Sequence, residues 1–374
     1  MNLLCKDTEK TIKLLKTYNI DTKNLINITK NKYFMKLYHD IKNNFKKIYQ
    51  KKFNIKMTKI INKTHKDYFE DNKFTSDNIK NKIFNELKYG YEFTYINNNI
   101  IYFCQKKINE KIPNIIIHMF QIIILLKKIF NKSDYNQNII YFETNEKKKF
   151  PKKNIILGPD NVNSGLTFLD LDSSHKNGDI ILYRKEEVLK VLIHELIHSN
   201  LIDSKIIFSK KTNEFSDLFC VNYKILLNEA FTESLATIIN IFYIHIINKF
   251  KKKELNIMFQ NEIKYSIYIC NKIKIFYNIN NIDDIIKKNN TCINNFPQKT
   301  NVFAYYILKN ILLTNHNLFG EILNKYTTNY KINDEKCIIE IINLIINNIQ
   351  NNKIIIKDNN KSLRLCLYEL KILS

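Results

Sequence analysis

Tryptophan is absent from this 374-residue chain, which has only five glycines, four prolines and two arginines, Arg184 and Arg364. Arginine is the side chain of choice for forked contacts to phosphate and guanine, so its near-absence argues against an interface built on such forks. The formal net charge of +23 is therefore almost entirely lysine. Together with the abundance of Asn and Ile, it reads as the imprint of an AT-rich genome on a solvated surface rather than as a nucleic-acid-binding face. The seven cysteines are odd in number and form no CxxC pair. That excludes a Cys-based zinc knuckle, argues against a disulfide framework and points to a reducing compartment. Long apolar runs are also missing. The most apolar stretch, IIIHMFQIIILL at 115–126, has 12 residues and contains His118 and Gln121, too short to span a bilayer. The first residues, MNLLCKDTEKTIKLLK, carry charge from the sixth position and lack the apolar core of a secretory signal. A soluble, cytoplasmic protein without a membrane span is expected.

What the chain does have is a hydrophobic content of 45%, enough for a sizeable core and against global disorder. Residues 1–85 are Lys- and Asn-rich with helical spacing of apolar residues, as in YFMKLYHDIKNNFKKIY, and suggest a helical appendage. The texture then changes. YEFTYINNNIIYFC (91–104) alternates and turns through Asn, which predicts a hairpin; 107–130 predicts a buried helix; 138–144, 165–171 and 179–184 predict strands. Pro151, Gly158, Pro159, Gly165 and Gly178 fall within 28 residues just before the next helical stretch. In a chain that otherwise avoids them, they mark demanding backbone geometry. Beyond residue 200 the pattern is mostly helical, led by the apolar-striped 221–250.

That next helical stretch carries VLIHELIHSNLID at 191–203. Residues four apart share one helix face, so His194 and His198 can present imidazole nitrogens to one metal ion, with Glu195 placed to reach a water on it. Zinc suits nitrogen and carboxylate ligands with one position open. It lowers the pKa of that water, and the glutamate takes the proton. The bland alternative is two polar residues satisfied on a buried helix. A third ligand is offered by LNEAFTESLAT (227–237), where Glu229 follows His198 by 31 residues and Glu233 lies one turn further on the same face. Ala230, Ser234, Ala236 and Thr237 keep this helix slim for close approach. Glu229 is the expected ligand, and Glu233 is expected to hold the remaining N–H of a ligating histidine. Glu214, in TNEF, is a weaker competitor in a Lys- and Asn-containing connection.

HELIH followed by NEAFTE resembles the gluzincins, the thermolysin-like clan of zinc metallopeptidases. The resemblance covers roughly residues 90–250 and rests on these two short motifs. It implies His194, His198 and Glu229 as zinc ligands, Glu195 as general base and Glu233 as the support of a ligand histidine. It also implies an α+β zincin-like fold. Residues 1–85 form an N-terminal helical region, 86–204 a mixed-sheet upper lobe ending in the HELIH helix, and 205–374 a mostly helical lower lobe. The segment 163–169, NSGLTFL, is the expected edge strand for a peptide substrate, with Asn163 a candidate for a substrate carbonyl, and 201–220 is expected as an inserted loop. Family members supply an oxyanion donor from the lower lobe; among Tyr305, Tyr306, His245 and Tyr223, Tyr306 is chosen. The remaining histidines, His39, His65, His118, His175 and His316, receive no role. The composition fits a large DNA virus or another AT-rich genome. The functional expectation is a zinc-dependent endopeptidase acting on a peptide or protein. The rival expectation is a catalytically silent zincin-fold module with a Lys-rich surface for a polyanion or a partner.

Overall fold

The computed structural model describes residues 4–371 except 21, 23–26, 50–53, 61–74, 96–98, 109, 133–137, 153–154, 169–177, 289–290, 350–355 and 357. His65, His175 and the tip of the expected hairpin lie outside the described residues, as does the end of the expected strand 165–171.

A six-stranded mixed sheet organises the first half of the chain, in the order β1-β2-β3-β4-β6-β5. Its strands are β1 (Lys56–Ile60), β2 (Tyr89–Tyr95), β3 (Asn99–Gln105), β4 (Asn138–Phe142), β5 (Gly165–Thr167) and β6 (Ile180–Leu182). β2 and β3 form the antiparallel hairpin, Tyr89 opposite Gln105 and Tyr95 opposite Asn99. β3, β4 and β6 run parallel. Their apolar runs, such as Ile139-Ile140-Tyr141 and Ile180-Ile181-Leu182, are buried on both faces, as parallel strands covered on both sides require. One face rests on the helices Asn114–Ile129 and Val188–Ser199 within the main core. The other carries a smaller cluster in which Ile79 and Ile83, from helix Asp77–Glu86, meet Ile140, Phe142, Ile181 and Tyr183. β5 closes the sheet as a short antiparallel edge, Leu166 opposite Ile181.

The second half is helical. Helix Leu227–Ile247 is unbroken and lies against the HELIH helix, Val188–Ser199. Ala230, Ser234, Ala236 and Thr237 are fully buried, and their small volume lets the two helices approach closely. By length and composition this helix could cross a bilayer, but 89% of its most apolar window is buried inside the protein.

The N-terminal stretch is not an appendage. Helix Lys32–Tyr49 buries Phe34, Leu37, Ile41 and Phe45 and packs on helices 114–129 and 227–247, and β1 extends the sheet. A segment near the C-terminus also lies inside. Leu363 to Leu370 form a buried extended strap, joined to the N-terminus through the bridge Leu4–Leu370. The cysteines bring a further correction. Cys220 and Cys292 lie at sulfur-to-sulfur bonding contact, their Cα atoms 6.2 Å apart, whereas the sequence argued against a disulfide framework. They tie the segment that precedes the Leu227–Ile247 helix to the Asn-rich stretch near residue 290, where Phe219 and Val221 also bridge Ile286 and Phe296.

Candidate metal centre

The HELIH helix begins at Glu187, whose backbone is left-handed at φ 59°. Such a conformation is uncommon outside glycine and is held by its surroundings. The buried Glu187 carboxylate accepts the Lys148 ammonium at 2.9 Å and the backbone N–H groups of Leu365 and Cys366 at 3.0 and 2.6 Å. These cations and donors overcome burial and hold Glu187 well below the usual carboxylate range. The start of the helix is thus fixed, and with it the two turns that carry the histidines.

His194 and His198 direct their Nε2 atoms at each other, 3.0 Å apart. Glu229 Oε2 reaches the same point, 3.3 Å from His194 Nε2 and 3.6 Å from His198 Nε2. The three ligand atoms lie within 4.8 Å of one another, the one such cluster among the described residues. Glu214, the competitor, is exposed and paired with Lys211 at 2.8 Å.

The outer nitrogens of both rings are spoken for. His194 Nδ1 meets Glu233 Oε2 at 3.0 Å, and His198 Nδ1 meets Asp203 Oδ2 at 2.7 Å. Facing carboxylates, each Nδ1 carries its proton and donates it, which leaves a lone pair on each Nε2. Two lone pairs and a carboxylate oxygen then converge in a buried space, and Glu229 Oε2 has no hydrogen-bond donor among the described residues. Three acceptors at such distances repel unless a cation sits between them. A divalent metal with nitrogen and oxygen preferences fits this donor set, and zinc is the ion whose usual sites match it. In its absence protons relieve the crowding. Burial opposes their uptake, but Glu229 and Glu233 outweigh it and hold His194 above its ordinary value. For His198, Asp203 and Glu229 do so more strongly. A metal bound there would compete with protons for one position.

Glu233 is itself buttressed. Lys190, one turn before His194, pairs directly with Glu233 Oε1, and Lys309 Nζ lies 3.5 Å from the same oxygen. Burial disfavours the charged carboxylate, and the two ammonium groups overcome this to bring Glu233 down to about 2. It stays ionised and acceptor-only, which is what orienting His194 demands.

Asp203 was not anticipated. It is fully buried, and Asn228 and Thr232 also approach its Oδ2, at 3.4 and 3.3 Å. It sits in the segment expected as a plain loop. After Ser199 the chain turns sharply at Leu201, φ 56°, then forms two short helices, Ser204–Phe208 and Lys210–Ser216. That turn folds Asp203 back under His198. An Asp-Ser pair just past the helix end was the available signal, a helix-start pattern of the usual kind.

Glu195 lies on the sheet side of its helix. Its Oε2 accepts the Thr167 hydroxyl at 2.8 Å. Burial holds Glu195 above the ordinary carboxylate value, against the pull of the two histidines. Thr167 belongs to β5, so the edge strand and the carboxylate are joined directly. Gly165 permits this closeness: a Cβ there would lie 2.9 Å from Val191 Cγ1 and 3.0 Å from the Ile181 carbonyl oxygen. Arg184, fully buried, fixes the approach to the strand by donating to the carbonyls of Asn163 and Asp160 at 2.7 and 2.6 Å. Asn163 borders the cavity beside His194 and Glu195, but its Oδ1 is taken by Thr300 at 2.9 Å.

The oxyanion candidates separate clearly. Tyr306, the expected donor, gives its hydroxyl to the Leu363 carbonyl at 2.6 Å and does not border the cavity. Tyr305 does border it, with its ring 6.1 Å from that of His194. The backbone at Phe303–Leu308 is a π-helical turn. A step of one helical residue rotates a side chain by about 100°, so the turn decides which tyrosine faces the site. Burial raises the Tyr305 hydroxyl well above its ordinary value, so it remains a donor. His245 is a core residue, held between the Tyr38 hydroxyl at 3.2 Å and the Lys251 carbonyl at 3.1 Å. Tyr223 is partly exposed and does not border the cavity.

No family model matches the chain, and no solved structure matches it. It is similar to "Uncharacterized protein R210" of Acanthamoeba polyphaga mimivirus, 26% identical over 167 residues, covering 41% of this chain and 40% of that protein. The matched part thus spans less than half of either chain.

Proposed function

We propose that this protein is a zinc-dependent peptidase of gluzincin type. The observation that carries the reading is the meeting of His194, His198 and Glu229 at one point beside Glu195, itself tied to the edge strand by Thr167. A mixed sheet with an antiparallel edge above the HELIH helix, and a helix below it bearing Glu229, is the arrangement expected of a zincin. Similarity to a viral protein accords with a viral origin.

Zinc bound at the triad would acidify a water and polarise a substrate carbonyl. The chain does the rest. Glu195, raised by burial, accepts the proton and returns it to the leaving amine. Thr167 holds Glu195 Oε2 at 2.8 Å, which would leave the other carboxylate oxygen for the water. Among the described residues β5 pairs with β6 alone, and its other edge offers main-chain bonds to an extended peptide. Tyr305, in place of Tyr306, donates to the developing oxyanion. No grasp for a substrate amino terminus is evident in the sequence, which favours endopeptidase action.

One observation favours the rival reading of a silent module. The cavity beside His194 and Glu195 measures about 30 Å³, room for a single water rather than a peptide. Glu195→Gln separates the two. The zinc-loaded wild type should cut an unstructured protein, and the variant should bind zinc equally and cut nothing. Cleavage at the wild-type rate by the variant refutes the mechanism, and an inert wild type with full zinc supports the silent module.

A further inference from the structure

A second cavity, about 340 Å³, opens between helix Lys6–Leu15 and the paired segments around Lys149 and Ser362. We infer that it is a binding site for a small phosphorylated anion, of the size of a di- or triphosphate group. Its walls carry six cationic side chains against two carboxylates, Asp7 and Glu186. Both carboxylates are engaged: Asp7 accepts Lys147 at 2.9 Å, and Glu186 accepts the Lys148 backbone N–H at 2.7 Å.

Three features mark a built site rather than stray surface charge. The first is the backbone pairing of Lys149 with Ser362, supported by Phe150 N–H to the Lys361 carbonyl at 2.9 Å and Leu363 N–H to the Lys148 carbonyl at 3.0 Å. It brings Lys149 and Lys361, both exposed and neither in an ion pair among the described residues, to the wall of one cavity. Like charges lining one concavity raise the potential there and favour an anion. The second is Arg364, buried to 4% exposure, which borders the cavity. Its Nη2 reaches Glu369 and the Leu367 carbonyl, each at 3.2 Å, but its Nε donor has no acceptor among the described residues. Its cationic head thus stands in the cavity wall, within reach of an anion. The third is composition. Lysine serves nearly everywhere in this chain, yet arginine stands here. The other arginine, Arg184, donates to two carbonyls, while Arg364 sets its charge in the cavity wall.

The position links this site to the metal centre. Lys148 borders both cavities and pairs with Glu187 at the start of the HELIH helix. Leu365, next to Arg364, lines the cavity beside His194 and Glu195. An anion held by Lys149, Lys361 and Arg364 would stiffen the wall that the two cavities share.

The test uses full-length, metal-free protein titrated with inorganic pyrophosphate by calorimetry at low ionic strength. A single saturable site per chain is expected, weakened about tenfold or more by Lys149→Glu or Lys361→Glu. Lys46→Glu, exposed on helix Lys32–Tyr49, should leave it unchanged. Arg364→Lys should weaken it while keeping the charge, and the two surface variants carry the test if that variant fails to fold. Bound pyrophosphate should slow hydrogen exchange in 145–150 and 360–367. The same titration on Glu229→Ala protein should give the same affinity, so failure of the peptidase reading would leave this site standing. Absence of saturable binding, or equal weakening by Lys46→Glu, overturns the inference in favour of diffuse charge.

Discussion

Replacing Glu233 by glutamine tests the buried electrostatics of the centre. The variant keeps the shape and removes one charge. Lys190 and Lys309, with side chains 2% and 3% exposed, lose their shared counter-ion, and His194 Nδ1 loses its carboxylate acceptor. Two routes to the magnitude agree. Breaking a buried ion pair from one side costs about 3–5 kcal/mol. Lowering a carboxyl from the ordinary 4.5 to about 2 corresponds to about 3 kcal/mol. Since the folded value is depressed, this stability is present above pH 4.5 and is lost as the pH falls from there towards 2. Urea unfolding of the metal-free protein at neutral pH should therefore show a loss of about 3 kcal/mol. Zinc affinity, measured by competition with a chromophoric chelator, should fall by about 10- to 100-fold. The double variant Glu233→Gln/Lys190→Met removes one orphaned cation. It should recover part of the stability and none of the zinc affinity. A stability change below about 0.5 kcal/mol, the size of an ordinary surface substitution, would refute the coupling. Recovery of zinc affinity in the double variant would show that Glu233 does not orient His194.

Asp203→Asn should weaken zinc by a similar factor, about 10- to 100-fold, read by the same chelator competition, while Glu214→Gln changes nothing. Glu262 is fully buried, and burial pushes its carboxyl up to about 7 against the pull of Lys309. The raised folded value favours folding at low pH. That advantage, about 3 kcal/mol, is lost as the pH rises from 4.5 to 7. The difference in unfolding free energy between wild type and Glu262→Gln should slope across that window and flatten above it, and a difference that is level with pH would contradict the assignment.

How much of this was legible in the chain follows from what was local. The HELIH and NEAFTE helices declare themselves by spacing alone, because a helix turns residues four apart onto one face. The slim flank at Ala230 and Ser234 announced their contact. The strands β2 to β6 were marked by alternation, by apolar runs and by rare Gly and Pro. Asp203 was hidden because its role depends on a left-handed turn at Leu201 within a Lys-rich connection. The choice between Tyr305 and Tyr306 hinged on a π turn, which no periodicity reports. β1, KMTKI, has too few apolar residues to stand out from its lysine-rich surroundings. The strap at 363–370 reads as a short apolar tail. Its significance comes from Glu187, Glu262 and Tyr306, which lie from 57 to 179 residues away in sequence. The meeting of Cys220 and Cys292 across 72 residues is likewise non-local.

Zinc content per chain, in wild type and in Glu229→Ala purified side by side without chelators, bears most directly on the central claim. One zinc in the wild type, lost or sharply weakened in the variant, is the result predicted by three converging acceptors that require a cation. A wild type without zinc, or a variant that holds it as tightly, would mean that His194 and His198 are two histidines on a buried helix and that the triad is not a metal site.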